Sequence, residues 1–304
     1  MSHAVTLKNV TFRYANGEGG ALNALDLTIT KGECVLLCGS SGCGKTTVTR
    51  LLNGLIPHYF EGQLDGSVTV FDKNIRDTAI EDLAGVVGSV FQNPRSQFFC
   101  VDTTAELAFG CENMGLSEAE IQSRIHQTVT DMKIHKLLDR SIFNLSGGEK
   151  QKIACAGVAA MLPELIVLDE PASNLDVDAI KELRNIIAKW KSQGKTIVIA
   201  EHRLGWLNGL CDRVLLMENG RITREFQGEA FFSLDTQILN EMGLRAVRSQ
   251  DNYLESRTGI VEIKPFESNA VITLENFTCV YDLNHFSVDV YTDEHFDHAY
   301  HYGT

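Results

Sequence analysis

Two glycine-rich segments about a hundred residues apart constrain this chain most: GSSGCGKTT at 39–47 and LSGGEKQ at 145–151. In the first, Gly39, Gly42 and Gly44 let the backbone turn tightly enough for successive N–H groups to surround phosphate oxygens. Lys45 then reaches the terminal phosphates and Thr46 holds Mg²⁺. The whole run, Gly39, Ser40, Ser41, Gly42, Cys43, Gly44, Lys45, Thr46 and Thr47, is expected to line a nucleotide. Before it, ECVLLC (33–38) is an apolar run of buried-strand length; after it, KTTVTRLLNGL (45–55) has helical spacing and is expected to stop at Pro57. Strand, loop and helix N-terminus give phosphate the partial positive charge of a helix dipole.

LSGGEKQ builds a second such terminus, where Ser146, Gly147 and Gly148 open a predicted helix over 148–162. One nucleotide does not need two phosphate cradles. Together these segments resemble the ATP-binding cassette (ABC) family, whose signature is LSGG followed by a polar helix start. The resemblance implies an α/β fold, a P-loop NTPase nucleotide-binding domain of ABC type with an antiparallel β subdomain and a helical subdomain. It implies ATP and Mg²⁺ as ligands, and a site in which the signature of one cassette closes over ATP held by another.

Further motifs follow in the order that family requires. LIVLDE (165–170) is a short apolar strand carrying two carboxylates at its end. Asp169 resembles the Walker B aspartate that binds Mg²⁺, and Glu170 the base that polarises the attacking water. SNLD (173–176) resembles the D-loop, while Asp176 fits equally the N-cap of a helix over 178–190. His202, after the strand 195–200, stands at the switch-histidine position against the γ-phosphate. Gln92 in VFQNP (90–94) matches the Q-loop, which touches Mg²⁺. Tyr14, closing the alternating stretch 5–14, matches the aromatic that stacks on adenine; an ordinary strand-end tyrosine competes with that reading.

The nucleotide-binding domain is expected over 1–230, with a hairpin at 213–222 turning at Asn219-Gly220. A helical insert begins with a capping box, SEAE (117–120), and continues as a stripe of Ile121, Ile125, Val129 and Met132 that reads as core. Residues 231–270 read as an extension and linker. VTLKNVTFRY (5–14) then returns as ITLENFTCVY (272–281), so 271–304 reads as the truncated start of a second cassette. The closing histidines His295, His298 and His301 with Asp297 read as a frayed tail ahead of a metal site.

With 304 residues, 44% of them hydrophobic, the chain can bury one sizeable core and retain length for a second unit. A net charge of −13 without a basic stripe argues against nucleic acid as a partner. No apolar run reaches the length of a membrane span, and MSHAVTLKNV lacks a signal-peptide pattern, so a peripheral place on the cytoplasmic face of the membrane is expected. Eight scattered cysteines read as reduced, buried thiols. Cys43, at a helix N-terminus beside Lys45, is the exception: it is expected to be reactive and shielded by ATP.

NGLIPHYFEGQLDGSV (53–68), QNPRSQFF (92–99), DEPASNLD (169–176) and AEHRL (200–204) narrow the resemblance to the ATPases of energy-coupling factor importers. That implies as partners a second cassette, in a homodimer or on a separate chain, a transmembrane coupling protein and a substrate-binding membrane protein for a vitamin or transition-metal ion. Soluble cassettes acting on ribosomes or in DNA repair carry the same general motifs, but 231–270 lacks a long charged helical linker. A fragment that binds ATP without coupling to anything is the third reading.

Overall fold

The alternating stretch at the N-terminus forms β1 (His3–Tyr14) and returns as β2 (Leu22–Thr30) in a computed structural model that describes residues 2–17 and 21–244. The apolar run after it is β3 (Cys34–Cys38), which passes through the glycine loop into α1 (Lys45–Leu52) and a short turn, α2 (Leu55–His58). β4 (Gly62–Val70) goes back to the first strand, β5 (Lys73–Asn74) pairs on its outer side, and α3 (Ile80–Ala84) leads into β6 (Val87–Val90). Three helices follow, α4 (Thr103–Asn113), α5 (Glu118–Met132) and α6 (Gly147–Ala160). The chain then runs through β7 (Leu165–Asp169), α7 (Val177–Ser192), β8 (Thr196–Ala200), the hairpin β9 (Arg213–Glu218) and β10 (Arg221–Gln227), and ends its described part in α8 (Gly228–Phe232) and α9 (Thr236–Glu241).

Two sheets result. An antiparallel sheet has the order β2-β1-β4-β5; the other, β10-β9-β3-β8-β7-β6, is parallel except for β10 at its edge. The parallel strands read as continuous apolar runs because both faces are covered. Alternation along each strand shows it: Cys34, Leu36 and Cys38 of β3 join Ile197 and Ile199 of β8 in the core beneath α7, with Ile187 and Trp190. Val35 and Leu37, with Val198 and Ala200, point the other way and pack on Val5, Leu7 and Phe12 of the antiparallel sheet. A third core, Leu107, Val129, Ile134, Leu137 and Ile153, holds the helical subdomain together.

Several expectations shift. The helix after the glycine loop ends at Leu52, because Gly54 takes a left-handed φ of 77°; Pro57 lies inside the next turn. Only half of the capping box at 117–120 forms: Ser117 accepts from the Glu120 N–H, but the Glu120 carboxylate pairs with Arg124 at 2.6 Å instead. Ile125, Val129 and Met132 do face the third core, while Ile121 is half-buried. The hairpin turns at Asn219-Gly220, both with positive φ (50° and 76°), as a two-residue turn of this hand requires. Beyond the boundary expected at 230, Phe231, Leu239 and Leu244 are buried in the core beneath α7. The second cassette start expected over 271–304, with its four histidine and aspartate residues, lies outside the described residues.

Candidate functional site

β3 delivers the glycine loop and α1 receives it. Gly39 has φ 142° and leaves no room for a β-carbon, which would collide with Met217 O of β9; Gly42, at φ 75°, faces open space. The loop is thereby pinned on one side to the sheet and open on the other. Lys45 is 4% exposed, and its Nζ donates to the carbonyls of Gly39 and Ser40 at 3.0 Å each.

A cavity of about 800 Å³ opens above the loop. Every residue of 39–47 except Cys43 lines it, together with Tyr14, Arg50, Gln92, Glu170, Ser173, Glu201 and His202. Cys43 was expected to meet the nucleotide and to be reactive; instead its side chain is 3% exposed and packed in the core with Val35 and Met217. Its backbone is engaged too, the N–H with Ser40 O at 3.4 Å and the carbonyl with the Gly220 N–H at 3.0 Å. The loop needs a small residue folded under it there, which a linear reading of the motif cannot distinguish from one facing the ligand.

The two carboxylates at the end of β7 differ in surroundings. Asp169 accepts from Thr46 Oγ1 at 3.2 Å and Thr49 Oγ1 at 3.4 Å, and burial raises its carboxyl above the ordinary range against those hydroxyl bonds. Glu170 accepts from His202 Nε2 at 2.8 Å and Gln92 Nε2 at 2.8 Å. The His202 bond is the main reason its carboxyl lies below the ordinary value, with burial opposing. The backbone of Glu170 is left-handed, φ 46°, and its N–H is tied to Ala200 O at 2.8 Å. Strain of this kind costs on the order of 1–3 kcal/mol and collects at functional sites.

Tyr14 ends β1 at the cavity wall. Its hydroxyl meets Arg50 Nη1 at 3.0 Å and Thr47 Oγ1 at 3.3 Å, and its ring stands edge-on to Phe12 and Phe60. The Arg50 guanidinium lies 4.0 Å over the Phe60 ring. Arg50 was invisible to motif reading because it follows the loop as one more helix residue.

Ser146, Gly147 and Gly148 are not brought to this cavity. They open α6 elsewhere, and there a full capping box forms: Ser146 N–H to Glu149 Oε2 at 2.8 Å, Glu149 N–H to Ser146 Oγ at 3.3 Å. The S-x-x-E spacing of that box was readable in the sequence, inside the signature itself. Asp176 caps α7, accepting from the Ala179 N–H at 2.8 Å. Gly148 packs on α7, where a β-carbon would come within 2.8 Å of Ala179 Cβ.

Residues present fit a hard divalent cation beside a phosphate chain. The Thr46 hydroxyl and Asp169 carboxylate converge, both oxygen donors, next to a buried ammonium and an open run of loop backbone.

A glycine loop feeding a helix from a buried parallel strand, with an acidic strand end across from it, defines the fold as that of an α/β P-loop nucleotide-binding protein. A family model described as ABC transporter matches residues 22–173. A Treponema denticola protein, provisionally named as an ABC transporter ATP-binding protein, is 50% identical over 241 residues, covering 79% of this chain and 49% of its own. A Pyrococcus horikoshii protein of the same provisional name is 36% identical over 262 residues, 86% of this chain and 92% of its own. Among solved structures, cbiO1 from Clostridium perfringens, part of the ABC transporter complex cbiONQ, matches with a TM-score of 0.69 at 27% identity, covering 80% of this chain and 95% of that one. A dimeric ATP-binding cassette bound to ADP and Pi shares the fold, with a TM-score of 0.63 at 24% identity, over 73% of this chain and 98% of that one. The chain belongs to the ABC transporter family and carries its ATPase domain. It spans about half the length of the Treponema relatives it matches.

Proposed function

We propose that this chain is an ATP-hydrolysing subunit of an ABC importer of energy-coupling factor type, working at the cytoplasmic face of a membrane with a second cassette, a coupling protein and a substrate-binding membrane protein. The observation that carries the ATPase part is the convergence of Gln92 and His202 on Glu170, at the rim of the cavity holding Lys45. Likeness to cbiO1 supports the importer part. The vitamin or transition-metal cargo follows from the sequence resemblance. Among the described residues no helix is long and apolar enough to cross a membrane.

In this reading the loop N–H groups and Lys45 bind the β- and γ-phosphates of ATP, and Tyr14 takes the adenine. Thr46 and Asp169, with Gln92 nearby, would hold Mg²⁺, which supplies positive charge against the phosphate oxygens. Glu170 accepts a proton from the attacking water; its depressed carboxyl keeps it ionised for that task, and His202 fixes its orientation. Ser146, Gly147 and Gly148 of a second cassette complete the site, since this cassette's own lie outside the cavity.

Nucleotide binding and phosphate release by the wild type, Lys45→Ala and Glu170→Gln test this. Lys45→Ala loses binding; Glu170→Gln keeps binding and releases phosphate about 10²–10⁴-fold more slowly. Undiminished turnover in Glu170→Gln overturns the assignment. Co-sedimentation with membranes, and not with ribosomes, supports the importer reading.

A further inference from the structure

We propose that Glu201 is a positioning residue that ties the switch-histidine loop to the segment following Glu170, so that His202 and residues 172–175 respond to nucleotide as one body. The role goes beyond the motif set and rests on the ATP-binding reading of the cavity.

Glu201 directly follows the apolar strand β8 and is 1% exposed, so its carboxylate is held inside the protein. Burial pushes its carboxyl up, and three backbone N–H bonds oppose that push. Those bonds divide between its two oxygens. Oε1 accepts the N–H groups of His202 at 2.7 Å and Arg203 at 3.0 Å. Oε2 accepts the N–H of Ala172 at 3.3 Å, two residues beyond Glu170. Arg203 returns the link: its Nη1 donates to Ala172 O at 3.1 Å and Leu175 O at 3.2 Å. Residues 172–175 are thus gripped through an N–H and two carbonyls by a pair adjoining His202.

An apolar residue at 201 would remove the acceptor of all three amides and leave the buried Ala172 N–H unpaired. A buried carboxylate is a costly way to satisfy them unless the connection itself is used. The segment it holds carries Ser173, a residue of the cavity wall whose Oγ is buried without a hydrogen-bond partner, and continues to Asp176 at the head of α7. Nucleotide reaching His202 therefore has a short covalent and hydrogen-bonded route to this loop.

Glu201→Gln separates the link from the fold. Its amide oxygen can still serve His202 and Arg203, whereas its NH₂ faces another donor at Ala172. Arg203→Gln, at an exposed residue, cuts the return bonds from the other side. Hydrogen exchange of the full chain, read by mass spectrometry with and without Mg-ATP in a Glu170→Gln background, tests the proposal without depending on turnover. Expected in the parent is ATP-induced slowing at both 39–47 and 171–176. In both link variants slowing persists at 39–47 and falls at least threefold at 171–176. Equal protection of 171–176 in parent and variants, or none there in the parent despite protection at 39–47, overturns it. Absence of protection at 39–47 in the parent would instead reject the ATP-binding reading. Where turnover is measured, the link variants lower kcat at least fivefold with KM unchanged; a matched rise in KM contradicts a positioning role.

Discussion

His202 Nε2 lies 2.8 Å from Glu170 Oε1, so the carboxylate at the end of β7 is oriented by a ring delivered from the end of β8, the strand beside it. Gln92 fixes the other oxygen at 2.8 Å. With its backbone at φ 46°, Glu170 is held by its neighbours more than by its own conformational preference.

The first prediction concerns pH. The Glu170 carboxyl lies below its ordinary value of 4.5, chiefly through His202. A depressed carboxyl stabilises the fold above the unfolded value, and that stability is lost as pH falls through the folded value. Denaturant unfolding should show wild type losing stability relative to Glu170→Gln as pH drops below about 4.5. A difference that stays flat across that window contradicts the pairing.

The two signature glycines should separate by mechanism. A β-carbon on Gly148 meets Ala179 Cβ at 2.8 Å, whereas one on Gly147 meets nothing closer than Asn174 O at 3.7 Å. Gly148→Ala should cost roughly 1–3 kcal/mol by overpacking, and Gly147→Ala about 0.5 kcal/mol or less. Thermal unfolding of both checks this; equal losses would mean that the start of α6 does not pack on α7 in this way.

Arg50 should tune nucleotide affinity. Its guanidinium sits 4.0 Å over Phe60 and donates to the Tyr14 hydroxyl, holding the ring expected against adenine. An exposed cation–π contact contributes about 0.5–1 kcal/mol, so Arg50→Ala should raise the dissociation constant for ATP about two- to fivefold. Titration with a fluorescent ATP analogue gives the number, and unchanged affinity would detach Tyr14 from the base.

Cys43 should resist labelling. At 3% exposure it is closed to bulky maleimides with or without ATP, while half-buried Cys100 is open to them. Peptide mapping after brief labelling decides it; ATP-dependent labelling of Cys43 would restore the ligand-facing placement.

Much of this site was legible because phosphate chemistry demands backbone: glycines at 39, 42 and 44 and a helix start at 45 leave a linear trace. The strands at 34–38, 165–169 and 196–200 were legible because burial on both faces leaves unbroken apolar runs. Side chains that act across the fold left weaker traces. Glu201 shows in the sequence only as an acid closing an apolar strand, and its three amide partners come from two loops. The orientation of Cys43 depends on Met217 and Gly220, far along the chain, and could not be read locally. The burial of Phe231 and Leu239 was not legible, because they reach the core from short helices with little periodicity.

The central claim is that one cassette holds half of a shared nucleotide site, with Lys45 and Glu170 at the cavity and Ser146 outside it. Sedimentation velocity of Glu170→Gln with and without Mg-ATP tests this most directly, with Ser146→Arg added in the same background. The account predicts a doubling of mass that requires ATP and is lost in the Ser146→Arg variant, which still binds nucleotide. A species that stays monomeric when saturated with ATP, or pairing indifferent to Ser146, would contradict it.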